Sequence, residues 1–349
     1  MYEPKFSFTP ALVNHLTGVE RLYGQLLGEK LIPSLSLKLK EENAILATHY
    51  STSIEGNPLN PREVTNIVLG DSIPTSKSEL EVKNYFNALN HISVAAMKKE
   101  SLSISLVLEL YRLVMHGMNI KKPGSFRNGK VIVGHKGVHG GLVVKHDPPE
   151  HTTAGIEKRL RELFAYLAKP SELSALLRAG ILHHEVAYVH PFFDGNGRVT
   201  RLLTAYYLLL HGYEVTKYFI LDDYYDIDRL DYSDKLHSAD SGDKTEWLTY
   251  FLEGINHSLK AALNRVHDIT ERQIESVKGD KRVLVTHREE DVLQVVIDLK
   301  QIKSQDIVKH LGVSRQQAHA LLHNLVDKGI LKRIGITKSS YYELKKKTS

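Results

Sequence analysis

Residues 190–201 read HPFFDGNGRVTR and join a base, a carboxylate, two glycines and two arginines between two apolar helical patterns. Upstream, apolar residues recur every three or four positions from Leu173 to Tyr188, which predicts a helix that Pro191 ends. Downstream, Arg198 to Leu210 repeats that spacing until Gly212, a residue suited to a left-handed helix C-cap. The glycines are therefore expected at a helix N-terminus in a mainly α protein.

The glycine turn has the properties of a phosphate site. The first N–H groups of a helix lack intrahelical partners, and the helix dipole adds positive charge there. Gly195, Asn196 and Gly197 form the turn, and its two glycines let the backbone approach an anion closely. Arg198 and Arg201 are three residues apart, so they share one helix face and can reach the same phosphate chain. This segment predicts a polyphosphate cradle.

Two side chains beside the cradle supply chemistry. Asp194 is a hard oxygen ligand suited to a Mg²⁺ ion that phosphate oxygens also hold. His190 is the group in the run that accepts a proton near pH 7. The residues alone predict a Mg²⁺-nucleotide site with a general base, and they leave open which phosphorus is attacked.

The same run resembles the signature of the Fic (filamentation induced by cyclic AMP) family, H-x-F-x-[DE]-G-N-G-R-x-x-R, at every fixed position. The resemblance implies a protein adenylyltransferase, which moves AMP from ATP to a Tyr, Ser or Thr hydroxyl of target proteins and of itself. It assigns His190 as the base, Asp194 to Mg²⁺, the turn and Arg198 to the phosphates, and Arg201 to the γ-phosphate. By the same analogy, Phe192 anchors the loop in the core.

A second segment resembles the regulatory part of this family. Ser51 to Gly56 reads STSIEG at the end of a predicted helix, Glu41 to Glu55, and fits the inhibitory-helix pattern [ST]-x-x-x-E-[GN]. Its position before the core implies a class II member, in which Glu55 pairs with Arg201 and withdraws it from ATP. Residues 1–95 are therefore predicted as a helical region that carries this inhibitory helix with Ser51 and Glu55.

Two short β-branched runs, 130–134 and 142–145, flank a glycine-rich tip at 137–141 and predict a β-hairpin. With the preceding Gly-x-Phe-Arg and the following Pro-Pro, the hairpin resembles the family's flap, which holds the target by strand pairing. The candidate target-binding residues are Val131, Ile132, Val133 and Gly134.

Several other side chains were weighed for ligands. The family usually carries Tyr-Tyr near the adenine, and Tyr232-Ser233 stands here, so Tyr232 is a candidate nucleotide contact. His135, His139 and His146 in the hairpin have no carboxylate spacing that completes a metal site, and they are interpreted as surface residues. His183-His184-Glu185 lacks the His-Glu-x-x-His spacing and is interpreted as helix packing.

The C-terminal part predicts a winged helix domain over 281–345. Helical patterns at 291–299, 304–311 and 315–328 form a helix-turn-helix, and residues 330–344 bend at Gly335 into a β wing. From Lys281 onward, 14 Lys and Arg face 7 Asp and Glu, a net charge of +7. This charge favours phosphate backbones, so DNA is a possible partner, and protein contact is the alternative. The outward residues of the recognition helix are predicted as Arg315, Gln316, His319 and His323.

The amino-acid composition limits the classes of protein to which this chain can belong. The chain has 349 residues, of which 42% are hydrophobic and 25% charged, and it has no cysteine. These values are typical of a globular protein of two or three domains, with residues 96–278 as the catalytic core. The absence of cysteine excludes disulfides, thiolate zinc sites and a cysteine nucleophile. We expect a cytoplasmic protein with ATP and Mg²⁺ as ligands, no membrane contact and possible homodimerisation.

Three alternatives stay open at this point. A kinase-like relative would transfer the γ-phosphate, although that branch of the family carries a lysine where Gly197 stands. A DNA-binding regulator would keep the C-terminal domain and a vestigial core. The same fold can also remove AMP from a target when Glu55 positions a water.

Overall fold

The computed structural model describes residues 2–29, 33–70, 73–119, 124–136, 142–276, 285–335 and 340–345. The described residues are mainly helical, as predicted, and the few strands form two antiparallel pairs. The helices are α1 Pro10–Gly28, α2 Pro33–Ile54, α3 Pro61–Leu69, α4 Lys77–Met97, α5 Ile104–Val114, α6 Thr153–Ala168, α7 Ala175–Val189, α8 Asn196–Leu210, α9 Val215–Tyr218, α10 Asp222–Ile227, α11 Arg229–Ser238, α12 Thr245–Ser276, α13 His287–Leu299, α14 Ser304–Leu311 and α15 Arg315–Asp327, with a 3₁₀ turn at Ala239–Ser241. The strands are β1 Val133–Lys136, β2 Leu142–His146, β3 Leu331–Ile334 and β4 Tyr341–Leu344.

Local sequence sets the ends of the N-terminal helices. Thr9 caps α1 through its side chain, and the next residue is a proline at the first helical position. Asn60 and Glu63 form a capping box at the start of α3. Gly56 follows α2 with a φ of +88°, a conformation that favours glycine. The chain therefore turns at Gly56, at the end of the segment that the sequence predicts as inhibitory.

One apolar core joins the N-terminal helices to the central ones. Helix α1 packs along α12, α4 packs on α8, and α2 packs on α9 and α10. Helix α7 also approaches α12 closely, because a Cβ added at Gly180 would lie 2.6 Å from Leu248 Cδ2. The predicted boundary at residue 95 falls inside α4, and the core is continuous across it.

The C-terminal part has its own core. Helices α13, α14 and α15 and the β3–β4 pair surround buried residues that include Val292, Ile307, Leu322 and Tyr342. Ile302, before α14, pairs with Tyr342 of β4. These are the elements that the sequence predicts there, and residues 336–339 of the predicted wing lie outside the described residues.

The β1–β2 pair corrects one prediction. Strand β1 begins at Val133, so Val131 and Ile132 precede it, and only Val133 and Gly134 of the four candidates belong to the strand. The partner strand explains this, because β2 ends at His146 and is followed by Asp-Pro-Pro, whose prolines have no N–H for a ladder. The predicted glycine tip at 137–141 lies outside the described residues.

In the part of the chain that the structure describes, the helices are too short or too polar to cross a membrane.

Candidate active site

The loop from 190 to 195 connects α7 to α8 and is fixed by Phe192. Its ring is buried and stacks on Tyr111, with centroids 3.7 Å apart and planes 6° apart. Phe126 packs on the same ring at 5.6 Å. His190 ends α7 in the left-handed region, with a φ of +47°, and its N–H donates to the Val186 carbonyl. The loop therefore leaves α7 in one defined direction.

Asn196 closes the same loop with its side chain. Its Oδ1 accepts from the Phe192 N–H at 2.8 Å, and its Nδ2 donates to the Phe192 carbonyl at 2.9 Å. The side chain is buried. The amide group is therefore engaged within the loop, and the backbone N–H of Asn196 remains for the predicted phosphate contact.

Arg127 holds the loop from the other side, a role that the sequence analysis missed. Its guanidinium is buried and donates to four carbonyl oxygens, two of which belong to Val189 and His190. The other two belong to Gly129 and Glu150 at the ends of the hairpin segment. The Gly-x-Phe-Arg motif marked the position, but only the fold shows that one side chain ties the loop to the hairpin.

Replacing Arg127 with methionine is expected to destabilise the protein by about 3–5 kcal/mol, because buried carbonyls lose their donor at about 1–3 kcal/mol each. Urea unfolding followed by circular dichroism measures this change. Arg112→Met is the matched control, since Arg112 is half exposed and pairs with Glu109, and it should cost less than about 1 kcal/mol. Equal urea midpoints for Arg127→Met and Arg112→Met would contradict the role of Arg127 in holding the loop to the hairpin.

The start of α8 has the features of an anion site. Gly195 is the N-cap with a φ of +79° and gives no side-chain cap. Arg198 is buried, and its Nη2 donates to Asp194 Oδ1 at 3.2 Å. Within the described residues, Arg198 Nε and Nη1 have no hydrogen-bond partner, with Glu81 Oε1 3.6 Å from Nη1. Buried donors left in this way fit a phosphate ligand.

Asp194 lies at the mouth of this site and is half exposed. Its Oδ1 accepts from the Gly195 N–H at 2.6 Å and from Arg198. Both hydrogen bonds go to one oxygen, so Oδ2 remains for a hard cation such as Mg²⁺. The residues present fit the predicted metal.

Arg201 is fully buried and faces the end of α2. Its Nε donates to Ser51 Oγ at 2.7 Å, and its Nη2 donates to the Ser51 carbonyl at 2.8 Å. Nη2 also contacts Glu55 Oε1 at 3.0 Å. The last turn of a helix carries partial negative charge, and this charge and the Glu55 carboxylate both attract the Arg201 guanidinium. The two predicted motifs, 146 residues apart in sequence, therefore meet at this guanidinium.

Asp222 is a second carboxylate at Arg201 that the sequence did not indicate. Its Oδ2 lies 3.8 Å from Arg201 Nε and accepts from Tyr85 Oη at 3.3 Å. Burial raises the pKa of Asp222 to about 6, although Arg201 opposes the rise. Burial alone would lower the pKa of Arg201, but Glu55 and Asp222 together raise it, so the guanidinium remains charged.

Glu55 covers the glycine turn. A Cβ added at Gly197 would lie 2.1 Å from Glu55 Oε1 and 2.9 Å from Arg201 Nη1. The carboxylate thus occupies the space directly against the start of α8, where an anion would bind. Glu55 and a terminal phosphate would compete for this space and for Arg201.

His190 has the protonation state that a general base needs. Burial, followed by the charges of His146 and Arg127, lowers the pKa of His190 to about 4. The imidazole is therefore neutral near pH 7 and can accept a proton.

The rate of any reaction that uses His190 as base is expected to stay within about twofold between pH 8 and pH 5, since the group stays neutral until the pH falls to about 4. A pH profile of kcat/KM measures this, with circular dichroism at each pH to confirm folding. An unshifted histidine would instead lose most of its activity between pH 7 and pH 5.

Tyr232 lies behind the loop, and its contact with a nucleotide stays a prediction. The side chain is buried and stacks on Tyr225, with centroids 4.4 Å apart. Its hydroxyl lies 2.9 Å from His183 Nε2. His183 in turn contacts Thr204 of α8 at 3.1 Å, so these residues pack behind the loop, as predicted for His183.

This arrangement of a partly buried histidine, a glycine turn at a helix N-terminus, two arginines and a carboxylate fits a class of nucleotide site with general-base chemistry. Residues 101–208 match the family model described as Fic/DOC family. Residues 101–208 are therefore a Fic domain.

Relatives and solved structures agree with this family. A protein adenylyltransferase Fic from Nematostella vectensis is 27% identical over 241 residues, which are 66% of this chain and 52% of that protein. One from Drosophila erecta is 27% identical over 179 residues, 50% of this chain and 34% of that protein. This chain thus spans about a third to a half of these curated relatives.

The fold is also shared with solved structures. The crystal structure of a Fic family protein from Desulfovibrio desulfuricans G20 is 23% identical and superposes with a TM-score of 0.65, covering 100% of both chains. Fic-1 from C. elegans, residues 134–508, is 24% identical with a TM-score of 0.61, covering 74% of this chain and 73% of that one. At these identities the likeness concerns the fold.

Proposed function

We propose that this protein is an adenylyltransferase that moves AMP from ATP to a hydroxyl group of a protein, itself included. The observation that carries the proposal is the neutral, partly buried His190 on the same short loop as an anion site, where two Arg198 donors lack a hydrogen-bond partner among the described residues. The printed names of the relatives, protein adenylyltransferase Fic, support the same reaction.

In the proposed reaction, His190 takes the proton of a Tyr, Ser or Thr hydroxyl. The hydroxyl oxygen forms a bond to the α-phosphorus of ATP, and the bond from that phosphorus to the bridging oxygen breaks, which releases pyrophosphate. Arg198 and the backbone of the glycine turn bind phosphate oxygens, and Arg201 is assigned to the γ-phosphate. Mg²⁺ on Asp194 would neutralise part of the phosphate charge.

We further propose that Glu55 inhibits this reaction. Its carboxylate contacts Arg201 at 3.0 Å and lies against Gly197, so a γ-phosphate cannot reach that guanidinium while Glu55 stays in place. ATP would then bind with its α-phosphate out of line for attack, and orientation is most of what such a site supplies. The expected result is a low basal rate.

The β1–β2 pair is proposed to hold the target. It is a two-stranded sheet with exposed apolar side chains at Val143 and Val144 of β2, and Ile132 just before β1 is also exposed. Phe193 of the same loop is also exposed and lies beside Gly129, where an added Cβ would be 3.8 Å from its ring. An extended segment added to such an edge would pair through its backbone, with the apolar side chains as secondary contacts.

The purified protein incubated with labelled ATP tests the reaction. We expect label from the α-position to appear on protein and label from the γ-position to remain in pyrophosphate. Transfer of the γ-label would indicate kinase chemistry, and no labelling of protein from either position in the presence of cell lysate would overturn the proposal.

Removal of AMP is the second candidate reaction, because the Glu55 carboxylate lies at the phosphate site, where it can orient a water. Release of free AMP from a modified target tests it. Glu55→Gln should abolish release if this reaction occurs, since the amide is a poor base.

The C-terminal domain is proposed as a winged helix that binds DNA. Arg315, Gln316, His319 and His323 are all exposed on α15, and the domain carries the excess positive charge. A DNA mobility-shift assay tests this, with binding expected to weaken steeply as salt rises. Arg315→Ala should weaken the shift, and an unshifted probe at low salt would leave protein contact as its role.

A further inference from the structure

Three side chains from distant parts of the sequence meet beside the hairpin. His146 ends β2, His237 lies near the end of α11, and Asp240 belongs to the 3₁₀ turn. Asp240 Oδ2 lies 2.7 Å from His146 Nδ1 and 3.1 Å from His237 Nδ1. All three donor atoms lie within 4.8 Å of one another, and the two imidazole rings stack with centroids 4.9 Å apart.

We propose that His146 Nδ1, His237 Nδ1 and Asp240 bind a divalent transition metal ion, with zinc as the expected ion. Two imidazoles and one carboxylate form a donor set that zinc uses, and a fourth position remains for water. Zinc bonds of about 2.0–2.2 Å in a tetrahedron place the donor atoms about 3.3 Å apart. The contacts of Asp240 with His146 and His237, at 2.7 and 3.1 Å, would therefore need to open by about 0.6 and about 0.2 Å.

The hydrogen bonds of His146 indicate a cation at its other nitrogen. Its Nε2 lies 2.8 Å from the Tyr188 carbonyl, which can only accept, so Nε2 carries a hydrogen. A neutral ring then directs the lone pair of Nδ1 at the Asp240 carboxylate, so a proton or a metal must lie between the two acceptors. Metal-binding histidines commonly donate their second N–H to a backbone carbonyl in this way.

A second set of groups orients Asp240. His184 Nε2 lies 3.0 Å from Asp240 Oδ1, and His184 Nδ1 lies 2.8 Å from Lys244 Nζ. Because the ammonium donates to Nδ1, the hydrogen of a neutral His184 is on Nε2 and points to the carboxylate. Lys244 is held by Glu185 at 2.7 Å. With Oδ1 held by His184, Asp240 Oδ2 faces His146 and His237.

Burial also suits an ion that enters from solvent. The His146 side chain is 2% exposed, whereas those of His237 and Asp240 are 14% and 21% exposed. The ion would tie β2 to α11 and the 3₁₀ turn, and thus fix the base of the hairpin.

The experiment uses tag-free, chelator-treated full-length protein titrated with Co²⁺, followed by visible absorption, and with Zn²⁺, followed by calorimetry. We expect one equivalent of either ion, and His237→Ala should weaken binding by at least about 100-fold. His237 is partly exposed, so this variant should keep the native circular dichroism spectrum. Zn²⁺ should also raise the Tm of the wild type and leave that of His237→Ala unchanged.

Two controls separate this site from other sites. Asp194→Asn should retain the Co²⁺ spectrum, since the ion is not at the nucleotide site, and His116→Ala removes an exposed histidine outside the cluster and should bind normally. Absence of stoichiometric binding, or equal affinity in His237→Ala, would overturn the proposal and leave a cluster held by protons alone.

Discussion

Alanine in place of His190 is expected to lower AMP transfer by about 10²- to 10⁴-fold, because the hydroxyl then loses its base. The imidazole contributes little to the loop through its side chain, since Phe192, Asn196 and Arg127 hold the backbone. ATP affinity and the unfolding midpoint should therefore change little. Labelled AMP on protein, measured at saturating ATP, gives the rate.

His151→Ala is the matched control for this variant, because His151 is exposed and lies outside the loop. It should transfer AMP at the wild-type rate. If His190→Ala also retained a near wild-type rate while remaining folded, another group would have to be the base.

Glu55→Gly is expected to raise modification of the protein itself and of its targets by about 10- to 100-fold. A partly buried charge pair of this kind biases the site by about 1–4 kcal/mol, and each 1.4 kcal/mol is about tenfold in population. With the carboxylate gone, Arg201 can bind the γ-phosphate and the α-phosphate can face the hydroxyl. The change should appear in the rate of transfer more than in ATP affinity.

The double variant Glu55→Gly with Arg201→Ala tests the mechanism of this inhibition. Both changes act on one ion pair, so their effects cannot add, and the gain should be lost. Arg201→Ala alone should also lose transfer, since a buried bidentate donor has no substitute nearby. Glu42→Gln against Glu55→Gln provides a matched pair on the same helical segment, because Glu42 pairs with Lys38 at the surface.

An unchanged rate in Glu55→Gly would show that Ser51 to Gly56 is an ordinary helix end. A double variant as active as Glu55→Gly would instead show that Arg201 does not hold the γ-phosphate. The two outcomes separate the inhibitory role of Glu55 from the phosphate role of Arg201.

The sequence alone determined the helices on either side of the loop at 190–195 and the Fic domain that contains them. Both follow from short-range patterns: apolar spacing gave α7 and α8, glycine and proline marked their ends, and residues 190–201 carried base, turn and arginines within one segment. The resemblance of residues 51–56 to the inhibitory-helix pattern was also visible in the sequence. The pairing of Glu55 with Arg201 was inferred from the family resemblance.

Only the tertiary structure decided which distant groups meet. Arg127 reaches the carbonyls of Val189 and His190, and Asp222 joins Glu55 at Arg201, because helix packing brings together residues far apart in sequence. Tyr232 is buried against Tyr225 where α10 packs on α11, and no pattern in the sequence indicated this burial. The cluster of His146, His237 and Asp240 spans 94 residues with no local spacing to reveal it. Local sequence patterns indicate which helix or strand contains a residue. Its burial and its charge partners depend on which other elements pack against that helix or strand.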